Sequence, residues 1–351
     1  MKNLIPAMVE RGYQVDLLKV RRHGPDIVLG HPLFRTVDLG TRHTYNAVVP
    51  VMRYLKSYRP AAMLCDKDRV NRTALLARWL SGQSTRLALR SGTTISVDLS
   101  HRGSFQRWLQ RTSIGKLYKY ADNVIVTSRG VADDMASYTG LPRDRISVVA
   151  SPVVPDALLT QQFSPPDHPW FAPGEPPVIL GVGELSYRKG FDVLLNAFAR
   201  LRQKQICRLM ILGEGSRRDP LLVMARELGV SDDFALPGYV DDPYAFIAGA
   251  AMFAMTSRWE GMPFVLIEAL AVGTPVVATD CPNGPAEVLD NGRFGRLVPV
   301  DDAEELHRAI ADTLNAPRGL APPRVVIQPY TISASTDAYL RALGLPSRVA
   351  G

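Results

Sequence analysis

Two stretches of the chain carry residue types and spacings that suit a phosphorylated, hydroxyl-bearing ligand. In SRWEGMPFVLIE (residues 257–268) a charged turn holding Glu260 leads through Pro263 into an apolar run that holds Glu268. Proline favours the first position of a helix, so the spacing predicts a helix beginning at Pro263. The backbone from Gly261 through Met262 and Pro263 to Phe264 then forms a helix N-terminus, where amides not used by the helix attract phosphate or a sugar hydroxyl. Glu268 stands in an otherwise apolar helix, and burying its carboxylate is costly unless something hydrogen-bonds it. A ribose diol would do so, and Glu260 could accept from further sugar hydroxyls. The opposing reading pairs Glu268 with a buried arginine and leaves Glu260 solvated.

The second stretch is GVGELSYRKGFDVLL (residues 181–195). A strand ends at Gly183, a loop presents the adjacent cations Arg188 and Lys189, and Gly190 opens the next helix. Two cations at the carboxyl end of a strand can grip a diphosphate and stabilise charge on a departing nucleoside diphosphate. Taken alone, the segment reads equally well as a solvated loop.

Positioning these groups requires strands that end beside one another. From Pro177 onward, β-rich apolar runs (PVILGVG, RLMILGEG, FALPGYV, AMFAMTS, TPVVATD, GRLVPV) alternate with helical patterns (FDVLLNAFARLRQ, DPLLVMARELG, DPYAFIAGA, PFVLIEALAVG, DAEELHRAIADTL). Strict alternation means a parallel, doubly wound sheet, which binds ligands at the carboxyl ends of its strands. The first half repeats the rhythm, with strand candidates YQVDLLKV, AAMLCD, RLALRS, NVIVTS and ISVVAS and helices near 45–58, 69–81, 104–121 and 129–139. The expected organisation is a first α/β domain over 1–160, a proline-rich linker over 161–176, a second α/β domain over 177–328 and a returning C-terminal segment over 329–351. Two such sheets facing across a hinge make a cleft. The chain opens in a helical pattern, KNLIPAMVERG, with no strand or glycine-rich turn before it. In a doubly wound sheet the first strand lies near the centre, so its omission predicts a slot in the core and a natural start upstream of Met1.

Composition narrows the classes. Of 351 residues, 46% are hydrophobic and 21% charged, as in soluble globular proteins. No apolar run is long enough for a membrane span, and Glu10, Arg11 and Asp16 interrupt any signal peptide, so the cytoplasm is the expected compartment. Cys65, Cys207 and Cys281 are far apart, which argues against a zinc cluster or a disulfide framework. Residues 1–160 hold 24 Lys and Arg against 12 Asp and Glu, a net of +12, whereas the remainder nets −5. The first half therefore favours anionic partners, such as lipid headgroups, phosphorylated acceptors or nucleic acid. A dinucleotide-binding oxidoreductase is disfavoured because Ser186 stands where G-x-G-x-x-G needs glycine, and no Walker signature occurs. No RNP, KH or zinc-finger pattern supports nucleic-acid binding.

The pair GVGELSYRKGFDVLLNAFARL and SRWEGMPFVLIEALAVGTPVVATDCPNGPAEVL resembles the donor-binding half of glycosyltransferase family four, whose hallmark is two glutamates separated by seven residues, here Glu260 and Glu268. The similarity continues through YADNVIVTSRGVADDMASYTGLPRDRISVVASPVV. It implies two Rossmann-like parallel-sheet domains (GT-B) and a transferase without metal or cofactor. The donor it implies is a nucleoside-diphosphate sugar, UDP-linked rather than GDP-linked. Arg188 and Lys189 would bind the diphosphate, Glu268 the ribose, and Glu260 with the backbone of Gly261 to Phe264 the sugar. Gly183 would border the donor, and Tyr239 and Val240 the nucleobase. The resemblance further implies retention of anomeric configuration and an acceptor that is a glycan or polyprenyl-linked, in polysaccharide, lipopolysaccharide or glycolipid assembly. The alternative is an inactive relative that binds sugar nucleotides or acts as a scaffold.

Glu184 stands where many members have arginine, which leaves the diphosphate to Arg188 and Lys189. The first-domain histidine of the family is absent after RLALRSGTT, with Arg90 and His101 as acceptor-side candidates. Phe105, Trp108, Leu109, Leu117 and Tyr118, interleaved with Arg107, Arg111, Lys116 and Lys119, suit either a basic amphipathic helix on the inner face of an anionic membrane or a packed surface helix. Cys281 reads as a structural thiol. YTISASTDAYLRAL resembles the family's final helix, which packs toward the first domain.

Overall fold

The structure is a computed structural model that describes residues 1–20, 27–100, 103–316 and 324–347. The chain forms two compact units, Met1–Pro152 with Pro329–Gly351, and Val153–Gln328. Residues 161–176, expected as a linker, belong to the second unit because aromatic contacts hold them there. Phe171 sets its ring edge on Phe246 at 5.6 Å, and Arg208 lies over Trp170 while bonding Glu175 at 2.6 Å.

The first unit runs α1 (Leu4–Glu10), β1 (Val15–Lys19), β2 (Phe34–Asp38), α2 (Val48–Tyr58), β3 (Ala62–Asp66), α3 (Asp68–Ser81), β4 (Arg86–Ser91), α4 (Ile95–Ser100), α5 (Ser104–Leu117), β5 (Asn123–Val126), α6 (Arg129–Thr139) and β6 (Ile146–Val148). Its strands make two separate parallel sheets, β1-β2 and β3-β4-β5-β6. Among the described residues, β1 and β3 each have a strand on one side only. Leu4 and Met8 of α1 pack in a cluster that takes in Val15 of β1 and Ala62 and Leu64 of β3. In the larger sheet Leu87, Leu89, Val124 and Val126 face Ile114, Val131 and Met135, while Ala88 and Ile125 face Leu4 and Met8. Both faces are covered, as a parallel sheet requires, and each fully buried Leu contributes about 2 kcal/mol of transfer free energy.

The second unit runs β7 (Val178–Val182), α7 (Phe191–Arg202), β8 (Arg208–Leu212), α8 (Arg218–Glu227), β9 (Phe234–Gly238), α9 (Tyr244–Gly249), β10 (Met252–Met255), α10 (Phe264–Ala271), β11 (Val276–Thr279), α11 (Pro285–Val288), β12 (Arg296–Val298), α12 (Ala303–Asn315) and α13 (Arg324–Ile327). Its six strands are ordered β12-β11-β10-β7-β8-β9, all parallel. The winding reverses between β7 and β10, and this is where open α/β sheets bind ligands, beyond the carboxyl ends of the strands. Both stretches singled out for their chemistry leave the sheet there. The last helix, α14 (Ile332–Ala342), belongs to the first unit. Thr331 caps it by accepting from the Ala334 amide at 3.2 Å, and Tyr339, Leu340 and Leu343 join the Leu4 cluster.

A carboxylate and two cations at the sheet's switch point

Beyond β7, Tyr187–Lys189 form a single 3-10 turn that ends on Gly190 in the left-handed region (φ 62°). A Cβ on Gly190 would lie 2.0 Å from the carbonyl oxygen of Thr256. Only glycine lets the loop come this close to the end of β10. Three further ties hold it. The Thr256 hydroxyl donates to the Lys189 carbonyl at 3.0 Å, the Arg258 amide to the Arg188 carbonyl at 2.7 Å, and the Arg258 guanidinium to the Tyr187 carbonyl at 2.6 Å.

Held in this way, both cations converge on one carboxylate. Glu260, 6% exposed, accepts from Arg188 Nη1 at 2.7 Å, Lys189 Nζ at 2.6 Å and Ser257 Oγ at 2.8 Å. Glu260 is therefore neither solvated nor free, and two charges of +1 share one of −1. Gly183 leaves room for the lysine stem, since a Cβ there would sit 3.0 Å from Lys189 Cε. Glu184 points to solvent.

Arg258, at the start of the segment, fastens it. Its guanidinium bonds both oxygens of Asp192 at 3.1 and 2.8 Å and lies 3.9 Å from the Tyr187 ring centroid. Burial is the largest influence on both partners and opposes their charge, but hydrogen bonding and charge attraction together, including that of Asp301 2.8 Å from Arg258 Nε, outweigh it: the Arg258 pKa is raised and that of Asp192 lowered. No local signal marks this tie, because its partners are 66 residues apart.

Glu268 is held differently. It sits on the apolar helix α10, and its recorded hydrogen bond comes from the Tyr244 hydroxyl at 3.3 Å. Burial pushes its carboxyl up to about 7, and the phenol only partly offsets that. Among the described residues no arginine pairs with it, contrary to one of the two readings of the sequence. Tyr244 and Ser257 were not among the residues expected at the site.

Two expectations need correction, the start of the helix and Arg90. Helix α10 begins at Phe264, with Pro263 as its cap residue. Proline offers no amide, and the Phe264 amide already donates to the Met262 carbonyl at 3.1 Å, so of the four expected positions only Gly261 and Met262 keep an amide for a ligand. Tyr239 and Val240 follow β9, the outer strand, with Tyr239 71% exposed. Arg90, proposed on the acceptor side, is engaged within the first unit: it bonds Tyr339 at 2.9 Å, and Asp66 and Ser151 at 3.1 Å each. Its role there is to join β3 and β4 to α14. His101 lies outside the described residues.

Cys281 is buried, and burial together with the nearby Glu260 charge pushes its thiol up to about 12. It stays protonated at neutral pH and is a poor nucleophile. Among the described residues no group of three or more His, Cys, Asp or Glu is arranged to hold a metal ion, and no helix is long and apolar enough to cross a membrane.

The profile described as "Glycosyl transferases group 1" matches residues 167–327, and that of the "Glycosyl transferase 4-like domain" matches residues 1–152. The chain belongs to the family-four glycosyltransferases. One relative of the chain is the N-acetylgalactosamine-N,N'-diacetylbacillosaminyl-diphospho-undecaprenol 4-alpha-N-acetylgalactosaminyltransferase of Campylobacter jejuni. It is 30% identical over 256 residues, which are 70% of this chain and 65% of the relative. The lipopolysaccharide core biosynthesis glycosyltransferase LpsE of Rhizobium meliloti is 36% identical over 176 residues, 49% of this chain and 51% of its own. The chain thus spans between about half and two thirds of the length of these relatives. Among solved structures, HepE of Anabaena in complex with UDP superposes with a TM-score of 0.75 at 16% identity, covering 98% of this chain and 96% of that one. The apo lipopolysaccharide outer core galactosyltransferase WaaB superposes with a TM-score of 0.68 at 19% identity, covering 89% and 84%. The family fold, GT-B with two Rossmann-like units, is the one described above.

Proposed function

We infer that this chain is a retaining, metal-independent glycosyltransferase. Its donor is a nucleoside-diphosphate sugar, UDP-linked rather than GDP-linked. Its acceptor is a glycan or a polyprenyl-linked saccharide, met at the inner face of the membrane during lipopolysaccharide or polysaccharide assembly. The observation that carries this reading is the convergence of Arg188, Lys189 and Glu260 at the switch point, with Glu268 nearby held by a phenol and, among the described residues, by no cation. The named activities of the Campylobacter and Rhizobium relatives support the acceptor class, and the UDP in the HepE structure supports the base.

The residues suit such a reaction. Glu260 balances the cation pair until a diphosphate brings a higher negative charge. The cations then turn to the diphosphate, and Glu260 is released to accept from the sugar hydroxyls. The acceptor oxygen attacks the anomeric carbon from the face on which the nucleotide departs. The bond from carbon to phosphate oxygen breaks with its electron pair on the diphosphate, and the acceptor proton passes to that leaving oxygen. Arg188 and Lys189 stabilise the negative charge that develops there. Glu268 accepts from the ribose diol.

The test is nucleotide release from a panel of UDP-, GDP- and ADP-sugars with chelator present, and the anomeric configuration of any product by NMR. UDP release with retention is expected, and Lys189→Ala should lower turnover about 10²- to 10³-fold. If no sugar nucleotide in the panel is consumed, the enzymatic reading fails. Unchanged donor affinity in Lys189→Ala would remove that residue from the site.

A further inference from the structure

Two aromatic side chains stand beside the carboxylate and its two cations. Tyr187 immediately precedes Arg188 and Lys189, and Trp259 immediately precedes Glu260. The Cα of each is thus about 3.8 Å from that of a charged residue of the cluster. Their ring centroids lie 6.2 Å apart with the planes tilted by 53°, a separation at which aromatic pairs attract. Tyr187 is 55% exposed and Trp259 half-buried. A lone exposed tyrosine needs no explanation, but this one is held still. The Arg258 guanidinium lies 3.9 Å from its centroid, and the Arg258 side chain is only 9% exposed, tied to Asp192, Asp301 and the Tyr187 carbonyl. An anchored cation therefore covers one face of the ring, Trp259 meets it at a tilt, and the exposure belongs to the remaining face.

A fixed, open aromatic face selects its ligand by charge. The face of a π system is negative and disfavours phosphate, which goes instead to the neighbouring Arg188 and Lys189. What the face favours is an apolar surface of weakly positive hydrogens, and the C–H groups on one side of a pyranose ring are such a surface. On the transferase reading the donor sugar presents hydroxyls to Glu260 and to the amides of Gly261 and Met262, and the diphosphate occupies the cations. The acceptor saccharide is the reactant left without a surface at this end of the site. Because Arg258 already fixes the Tyr187 ring, stacking a sugar on it costs little side-chain freedom.

We propose that Tyr187 and Trp259 form a stacking platform for a pyranose ring of the acceptor. Naming that sugar the acceptor rests on the transferase reading, whereas the stacking itself is a binding event that can be measured without turnover.

The test is saturation-transfer NMR of the full chain, with UDP present, against the methyl glycosides of galactose, glucose, N-acetylgalactosamine and N-acetylglucosamine, alongside calorimetric titration with UDP. At least one glycoside should receive saturation, strongest on the C–H protons of one ring face. Tyr187→Ala should weaken its binding about tenfold, and Tyr187→Phe, which keeps the ring, should retain it. UDP affinity in Tyr187→Ala should fall by no more than about threefold, because Arg258 loses only the contact with the ring and keeps its other ties. Tyr187 is exposed, so its variants should fold. Trp259 is half-buried, so it is probed by the milder Trp259→Phe, which should weaken glycoside binding less than Tyr187→Ala does. The proposal is overturned if no glycoside receives saturation, or if Tyr187→Ala binds glycoside like the parent. It is also overturned if that variant loses UDP affinity as far as glycoside binding, which would make Tyr187 a prop for Arg258 or a surface for the nucleobase. If no sugar nucleotide is consumed while the glycoside signal still depends on Tyr187, the transferase reading fails and the pyranose platform stands.

Discussion

Glu260 and Glu268 are eight positions apart, and their surroundings are opposite. Glu260 is enclosed by two cations and a hydroxyl, all within 2.8 Å. Glu268 sits on an apolar helix with one phenol at 3.3 Å, and burial, partly offset by that phenol, raises its carboxyl to about 7. The first carboxylate is already satisfied, so it acts as a ready counterion that organises a cation pair for a more strongly charged guest. The second is satisfied only when a guest supplies neutral donors. A diphosphate joined to a ribose meets both needs. The difference between the two glutamates is therefore a map of the ligand, charged at one end and hydroxylated at the other.

The comparison breaks most sharply on the Glu260 side if the cation loop loses its fastening. Arg258→Ala removes the bonds to Asp192 and the Tyr187 carbonyl, the ion pair with the half-exposed Asp301 and the contact with the Tyr187 ring. The Arg258 amide and the Thr256 hydroxyl still hold the loop backbone, so it should stay folded but loose. Asp192 is partly exposed and can rehydrate, which limits the stability loss to about 2 kcal/mol. A displacement of the cations by even about 1 Å should lower kcat/KM about 10- to 100-fold. Arg258→Lys should recover little, because lysine cannot span both Asp192 oxygens and stack on Tyr187. Thermal melting and steady-state kinetics together test this. A melting change without a kinetic one would make Arg258 merely structural.

On the other side, Glu268→Gln should separate stability from binding. The folded carboxyl titrates near about 7, against 4.5 for an unperturbed glutamate. Between those values the folded chain holds a proton that the unfolded chain has released, so this group's contribution to stability falls as pH rises through that window. At about 1.4 kcal/mol per pH unit, the loss approaches about 3 kcal/mol above pH 7. Glutamine has no charge to bury. The variant should therefore melt above the parent at pH 8, with the gap closing toward pH 5, while its donor affinity falls. Equal melting at both pH values would show that Glu268 is not held as described.

The contrast between the two glutamates also marks how far the sequence could be read. The six strands of the second unit were legible because each is an apolar run closed by Gly, Pro or Asp. β2, Phe34–Asp38, was not, since three of its five residues are exposed and polar and only Phe34 and Val37 are apolar. The short helices α4 and α11 were missed for want of a full amphipathic repeat. Within the site, the types and positions of Arg188, Lys189, Glu260 and Glu268 could be read, but their partners could not. The salt bridges to Glu260 join residues 71 and 72 apart, and the Arg258 tie spans 66. Contacts made by the winding of a sheet leave no local spacing to detect. Arg90 shows the converse: in isolation it resembles a site residue, yet its donors are engaged by Asp66, Ser151 and Tyr339.

The smallest effect should come from Tyr244→Phe, and it bears most directly on how Glu268 is tuned. The phenol donates to the Glu268 carboxylate and so lowers its pKa, against burial, which raises it. Removing the hydroxyl leaves burial unopposed, and the carboxyl should move above about 7. If the ribose diol donates to the ionised form, donor affinity in the parent rises with pH through about 7 and levels off once Glu268 is fully ionised. In Tyr244→Phe the rise should keep its shape and move to higher pH, by a fraction of a unit for one long hydrogen bond. Affinity should be reduced near neutrality and restored at pH 9. A uniform loss at every pH would mean that Tyr244 contacts the donor itself, and no change would mean that water takes the place of the phenol. Isothermal titration with UDP across this range distinguishes these outcomes, because only a change in the Glu268 pKa moves the midpoint without lowering the plateau.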